Sequence, residues 1–163
     1  MTGGLLVVWV GNRPVRALEE LADDYQARIS RLAPFTQVRV RPASGRGLDA
    51  SRALAREAGR IREHLRPGDH LVVLDERGRE QTTVSLAAWL AGALERARVA
   101  LVVGSDLGLD EALRREAREA LALSRLTLPH ALARVLLLEQ LYRALDLNAG
   151  GAYHRPDIRC APR

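Results

Sequence analysis

Tyr153-His154-Arg155 sets an aromatic ring, an imidazole and a guanidinium side by side, directly after the turn-forming run Gly150-Gly151-Ala152. A tyrosine can stack on a nucleobase, and an arginine can bind a phosphate or stack on a base. His154 is the group in this tail that titrates near neutral pH, so it is the candidate to take a proton. On residue types alone, the same segment also reads as a frayed tail after a helix.

Three further segments could meet a ligand. In an open parallel sheet, ligands bind beyond the carboxyl ends of the strands. Val73-Leu74-Asp75-Glu76-Arg77-Gly78 is one such end and by itself reads as an ordinary turn. Val103-Gly104-Ser105-Asp106-Leu107-Gly108 is another. Its two glycines permit positive φ and close approach of a ligand to the backbone. It is not a dinucleotide fingerprint, and it lacks the lysine of a phosphate-binding P-loop. In the third, Leu123-Ser124-Arg125-Leu126-Thr127-Leu128-Pro129-His130, apolar positions alternate with hydroxyl and backbone groups. It could hold an adenine by main-chain hydrogen bonds with leucines on its faces, or form a buried edge strand before a helix. His130, at a helix start, reads as a capping or packing residue.

The elements that must position these segments follow from periodicity. Leu5–Val10 is a continuous apolar run and reads as a buried strand. Val15, Leu18, Leu21, Ala22, Tyr25, Ile29 and Leu32 recur at helical spacing, which predicts a helix over Arg16–Leu32. Thr36–Arg41 reads as an edge strand, and Pro42–Gly47 as a loop with Arg41 and Arg46 beside it. Asp49 or Ser51 caps a helix to about Leu65. His70–Asp75 reads as a central strand with a polar loop over Glu76–Gln81, and Thr82 or Thr83 caps a helix to Arg96. Val99–Val103 is a fully apolar strand. A helix over Asp110–Ala120, a strand or extended segment over Leu121–Thr127, and a helix from Pro129 to Leu147 complete the chain. Alternating strands and helices predict an α/β fold with a mainly parallel sheet flanked by helices. No linker divides it, so residues 1–155 read as one domain with a short extension over 156–163.

The last helix carries Leu132, Val135, Leu136, Leu138, Leu141, Tyr142 and Leu145, an apolar face too broad for one sheet to cover. It is either a central core helix or one that also packs on a second subunit. Arg134 and Glu139 on it read as an interface ion pair, or Arg134 as a residue facing RNA. Trp9 reads as core, Trp89 as packed on a helix face, and His64 and His70 as surface residues.

Composition narrows the chemistry. The 163 residues are 47% hydrophobic, enough for a folded core. Net charge is +5, every one of the 25 basic residues is arginine, and an anionic partner is plausible. With no lysine there is no Schiff base and no lysine general base. No segment reaches the length of a membrane span, and the first apolar run is too short for a signal peptide. The lone Cys160 forms no internal disulfide, which fits a cytoplasmic protein. No Cys, His, Asp or Glu cluster has metal-ligand spacing, so no metal is expected.

Over nearly its whole length the chain resembles the SPOUT-class methyltransferases that methylate N3 of a pseudouridine in bacterial large-subunit ribosomal RNA, the RlmH family. The resemblance is carried by LSRLTLPHALARVLLLEQLYRALDLNAGGAYHR, from Leu123 to Arg155, and by the order and spacing of the three strand-end loops. It implies a deep C-terminal trefoil knot and S-adenosylmethionine bent in the knotted crevice. It places cofactor contacts on Leu74, Gly104, Leu123, Ser124, Arg125, Leu126, Thr127 and Leu128. It puts Tyr153, His154 and Arg155 at the reaction, in a homodimer paired through the last helix whose sites are completed across the interface. It implies as substrate the large-subunit rRNA of the assembled ribosome. The family usually has a second glycine where this chain has Ser105. Other readings are a SPOUT enzyme acting on another rRNA or tRNA position, a non-catalytic RNA-binding relative, and a receiver-like module with Asp75 as acceptor. The missing lysine argues against the last.

Overall fold

In the computed structural model, residues 3–45 and 47–155 are described. Arg46, Cys160 and the extension over 156–163 lie outside them. Five strands form the sheet: β1 Leu5–Val10, β2 Phe35–Val40, β3 His70–Glu80, β4 Val99–Val103 and β5 Glu119–Ala122. Their order is β2-β1-β4-β3-β5, and every pairing is parallel. β1 and β4 are buried on both faces, which is why they read as unbroken apolar runs. β2 lies at an edge, as its mixed pattern predicts.

The side-chain alternation of β1 sorts the helices into two layers. Leu5, Val7 and Trp9 share a cluster with Ala22 and Ile29 of α1 (Arg16–Ser30), Leu86, Leu90 and Leu94 of α3 (Thr83–Arg96), and Leu137, Leu138 and Leu141 of α5 (His130–Asn148). Leu6, Val8 and Val10 face the other way. They meet Ala58 and Ile61 of α2 (Ala50–Arg62) and Leu113 of α4 (Glu111–Glu116). Asp49 and Thr82 cap α2 and α3, each side chain accepting a backbone N–H three residues on.

Three elements differ from the sequence expectation. β3 does not stop at Asp75. It bulges between Leu74 and Arg79, both opposite Leu121, and rejoins β5 through Glu80. Gly78 permits this, because a Cβ there would come within 2.7 Å of the Ala120 backbone. α4 ends at Glu116, not Ala120, and β5 starts at Glu119. The alanine-rich run favours helix locally, but its backbone is recruited to the sheet edge, where the Arg118 N–H donates to Leu71 O. Residues 123–129 therefore form a loop and not a strand.

His70, expected at the surface, is 8% exposed. Its Nε2 lies 2.7 Å from Glu119 Oε1, and its ring meets the Trp89 ring edge-on. Trp89 Nε1 donates to the same carboxylate at 2.7 Å, so β3, α3 and β5 share one polar knot.

Candidate functional site

A cavity of about 690 Å³ opens where the chain leaves β3, β4 and β5 and enters α5. Leu74 to Arg77 form one wall, and Val103 to Leu109 a second. A third comes from the loop after β5 and the first turn of α5, with His130 and Ala133. Of the cofactor positions taken from the resemblance, Leu74, Gly104, Leu123, Ser124, Leu126, Thr127 and Leu128 all line it. Arg125 does not; its Nε donates to Glu80 at 3.1 Å on the outside of the loop.

The β4 loop is built by close backbone contact. Gly108 N–H donates to Ser105 O at 2.9 Å, and Gly108 sits at φ +92°. A Cβ on Gly104 would strike Gly108 O at 2.3 Å, so only glycine fits there. Ser105 needs no left-handed angle, since among the described residues positive φ falls on glycine alone. Its hydroxyl donates to Glu57 Oε2 at 2.8 Å, and Glu57 Oε1 accepts the Ala43 N–H at 2.9 Å. Glu57 is 2% exposed. Sequence reasoning passed over it, although its place on α2 between Ala53 and Ile61, four residues from each, puts it on the buried stripe.

The loop after β5 is held by its own side chains. Ser124 Oγ accepts the Leu126 N–H at 2.9 Å, and Thr127 Oγ1 donates to Glu76 Oε2 at 3.1 Å across to the β3 wall. Leu126 and Leu107 are among the most exposed large apolar side chains and stand on opposite walls. Asp75 is occupied by Arg77 and Arg114, at 3.2 and 3.3 Å. His130 Nδ1 lies 2.7 Å from Asp106 Oδ1, bridging α5 to the β4 loop as a local packing contact.

The tail is elsewhere in the same chain. Tyr153, His154 and Arg155 are not among the cavity's walls. The Tyr153 N–H donates to Asp146 Oδ2 at 3.0 Å, and Asp146 is about 24 Å along α5 from His130 at 1.5 Å per residue. The Tyr153 hydroxyl donates to Glu139 Oε1 at 3.2 Å and lies 3.2 Å from the Tyr25 hydroxyl. Tyr25, burial and the Glu139 carboxylate all hold this phenol un-ionised, well above its ordinary pKa. Its ring packs edge-on against Tyr142, with the Arg143 guanidinium 4.6 Å from its centroid. His154 is half-buried and Arg155 exposed.

Arg134 and Glu139 do not pair with each other. Glu139 binds Arg143, while Arg134 is 2% exposed and donates to both oxygens of Glu19, at 3.0 and 3.3 Å. Among the described residues no group of three or more potential metal ligands comes together. No described helix is long and apolar enough to cross a membrane.

Comparison with known proteins agrees with the geometry. The family model described as predicted SPOUT methyltransferase matches residues 4–154. A protein of Verminephrobacter eiseniae named ribosomal RNA large subunit methyltransferase H is 46% identical over 154 residues, covering 93% of this chain and 98% of its own length. A protein of the same name from Nitrosomonas eutropha is 40% identical over 152 residues, with the same coverage. A solved structure of a probable methylase family protein from Haemophilus influenzae aligns with a TM-score of 0.55 at 16% identity. It covers 95% of this chain and 72% of that one, a likeness of fold. With the family matched from Gly4 to His154 and relatives matched almost end to end, the chain belongs to the SPOUT methyltransferases.

Proposed function

We propose that this protein is an S-adenosylmethionine-dependent methyltransferase that methylates N3 of a pseudouridine in large-subunit ribosomal RNA, acting on the assembled ribosome. The observation that carries this reading is the end-to-end match to proteins named ribosomal RNA large subunit methyltransferase H. The cavity supports it. Leu74, Leu123, Leu126 and Leu128 offer apolar faces for a purine, and the loop backbone offers its hydrogen bonds. The Glu76 and Asp106 carboxylates at the walls suit a cationic sulfonium and ribose hydroxyls. Bound there, S-adenosylmethionine supplies a methyl group already activated for transfer. The trefoil knot and a cytoplasmic location belong to the same reading.

The chain's own residues then have two tasks. Leu74, Gly104 and the loop from Leu123 to Leu128 fix the donor in line with the attacking nitrogen, which supplies much of the rate. Tyr153, His154 and Arg155 address the nucleotide, with His154 taking the imide proton as N3 gains its methyl. The tail is anchored on the far half of α5 from its own cavity, so a homodimer paired through α5 would let each tail serve the partner's cavity. His154→Ala should lower turnover at least about tenfold while leaving cofactor affinity unchanged.

The test is transfer of labelled methyl to unmodified assembled ribosomes, separated subunits and free RNA, with the product mapped by mass spectrometry. Methyl on N3 of a pseudouridine, with assembled ribosomes only, is the expected result. Cofactor binding with no transfer to any of these RNAs would overturn it and leave a non-catalytic relative.

A further inference from the structure

A second cavity, of about 660 Å³, lies on the other side of the first turns of α5. His130 and Ala133 face the cavity already described, and Arg134 faces this one. Its remaining walls are Trp9 at the end of β1, Arg13 and the first turns of α1, and Gln37 and Arg39 of β2.

Its charges sort into two groups. Arg134 is satisfied within the fold: Nε donates to Gln37 Oε1 at 2.8 Å, both terminal nitrogens donate to Glu19, and the guanidinium lies 4.2 Å from the centroid of the Trp9 ring. This hydrogen bonding holds the Glu19 carboxyl below its ordinary pKa, so the pair is internally neutral. Arg16 is engaged by Glu20 at 2.6 Å. Arg13 and Arg39 make no hydrogen bond or ion pair among the described residues, and both are exposed at the rim. Asp23 opposes them there, and so in part does Glu19, whose carboxyl the charges of Arg39 and Arg13 also help hold below its ordinary pKa.

We propose that this cavity receives a backbone phosphate of the substrate RNA, held by Arg13 and Arg39, while a neighbouring nucleotide crosses the first turn of α5 into the cofactor cavity. The proposal rests on the reading of the protein as an RNA methyltransferase. It assigns register to a surface distinct from the tail: the phosphate fixes where the strand lies, and the tail acts on the base. The walls carry four arginines against two carboxylates, a balance that suits an anionic occupant. Guanidinium groups are the side chains best matched to phosphate oxygens.

The experiment compares wild type with the double variant Arg13→Ala/Arg39→Ala on unmodified assembled ribosomes over a salt series. Cofactor affinity is followed by calorimetry, oligomeric state by light scattering and ribosome binding by co-sedimentation. The expected result is a KM for ribosomes raised about tenfold or more, with kcat within about twofold, and a log-log salt slope shallower by about one. Cofactor affinity and molecular mass should match wild type, and Arg13→Lys/Arg39→Lys should recover part of the KM. An unchanged KM and slope would overturn the proposal. So would a change in oligomeric state, which would make the cavity a seat for a second copy. A wild type that binds ribosomes without methylating them fails the enzymatic reading alone, and the arginine comparison is then read from binding. A wild type that neither binds nor methylates them overturns both.

Discussion

Arg134 joins four elements through one side chain: it stands on α5, covers Trp9 of β1, and hydrogen-bonds Glu19 of α1 and Gln37 of β2. Removing it leaves Gln37 without its donor and a void beside Trp9, while Glu19, being partly exposed, can recover water. Arg134→Ala should therefore cost about 2–4 kcal/mol in urea unfolding, below the upper end for a wholly buried pair. The sequence offered Arg134 as an interface partner of Glu139 or as a residue facing RNA; the structure instead buries it and pairs it with Glu19. Its partner, 115 residues away, could not be read from spacing. The burial of Glu57 could be read from its spacing with Ala53 and Ile61, but its role could not, because that depends on Ser105, a residue outside α2. Gly104 was read as a place where a ligand comes close to the backbone; the structure shows the close approach there to be that of the chain's own Gly108 carbonyl. Gly104→Ala must displace that carbonyl, and cofactor affinity should fall at least about tenfold with the fold's circular dichroism retained. Unchanged affinity would remove the β4 loop from the donor site.

At the scale of elements, buried strands and capped helices were readable because one local signal decides each. β1 and β4 are runs with no polar face, and Asp49 and Thr82 start their helices at a definite residue. The β3 bulge and the α4–β5 boundary were not, because sheet pairing overrides local preference at both. The pairing of β3 with β4 also sets an electrostatic contact. Asp69, just before β3, binds Arg98, just before β4, at 2.6 and 2.9 Å. Burial raises the Asp69 pKa, but the bonds from Arg98 and the Arg66 N–H outweigh it and hold the carboxyl below its ordinary value. A lowered folded-state pKa contributes stability above the unfolded value, near 4, and that contribution is lost as pH falls through the folded one. Asp69→Asn should be less stable than wild type at pH 7 by about 1–3 kcal/mol. The gap should narrow below about pH 4 in denaturant titrations. A gap constant down to pH 2 would mean that the ion pair contributes no charge-dependent stability.

At the scale of the whole molecule, the cavity and the tail occupy opposite parts of α5. The cavity uses the first turn at His130 and Ala133, and the tail folds back on Glu139, Tyr142 and Asp146. The hydroxyl of Tyr153, wedged between Tyr25 and Glu139, fixes the tail to its own subunit, so swinging it to its own cavity would break these contacts. An isologous dimer through α5 needs no such movement, because two-fold symmetry brings each helix end to a matching place on the other copy. This arrangement makes a prediction that single-chain catalysis does not. Gly104→Ala damages the cavity and leaves the tail intact; His154→Ala does the reverse. Assayed at cofactor well below its wild-type Kd, each variant alone should keep about a tenth of wild-type activity or less. Co-refolded in equal amounts, half of the dimers become mixed, and each mixed dimer holds one site built from an undamaged cavity and an undamaged tail, so activity should return to about a quarter of wild type. If cavity and tail of one chain worked together, every site would carry one lesion and the mixture would stay as low as the variants alone.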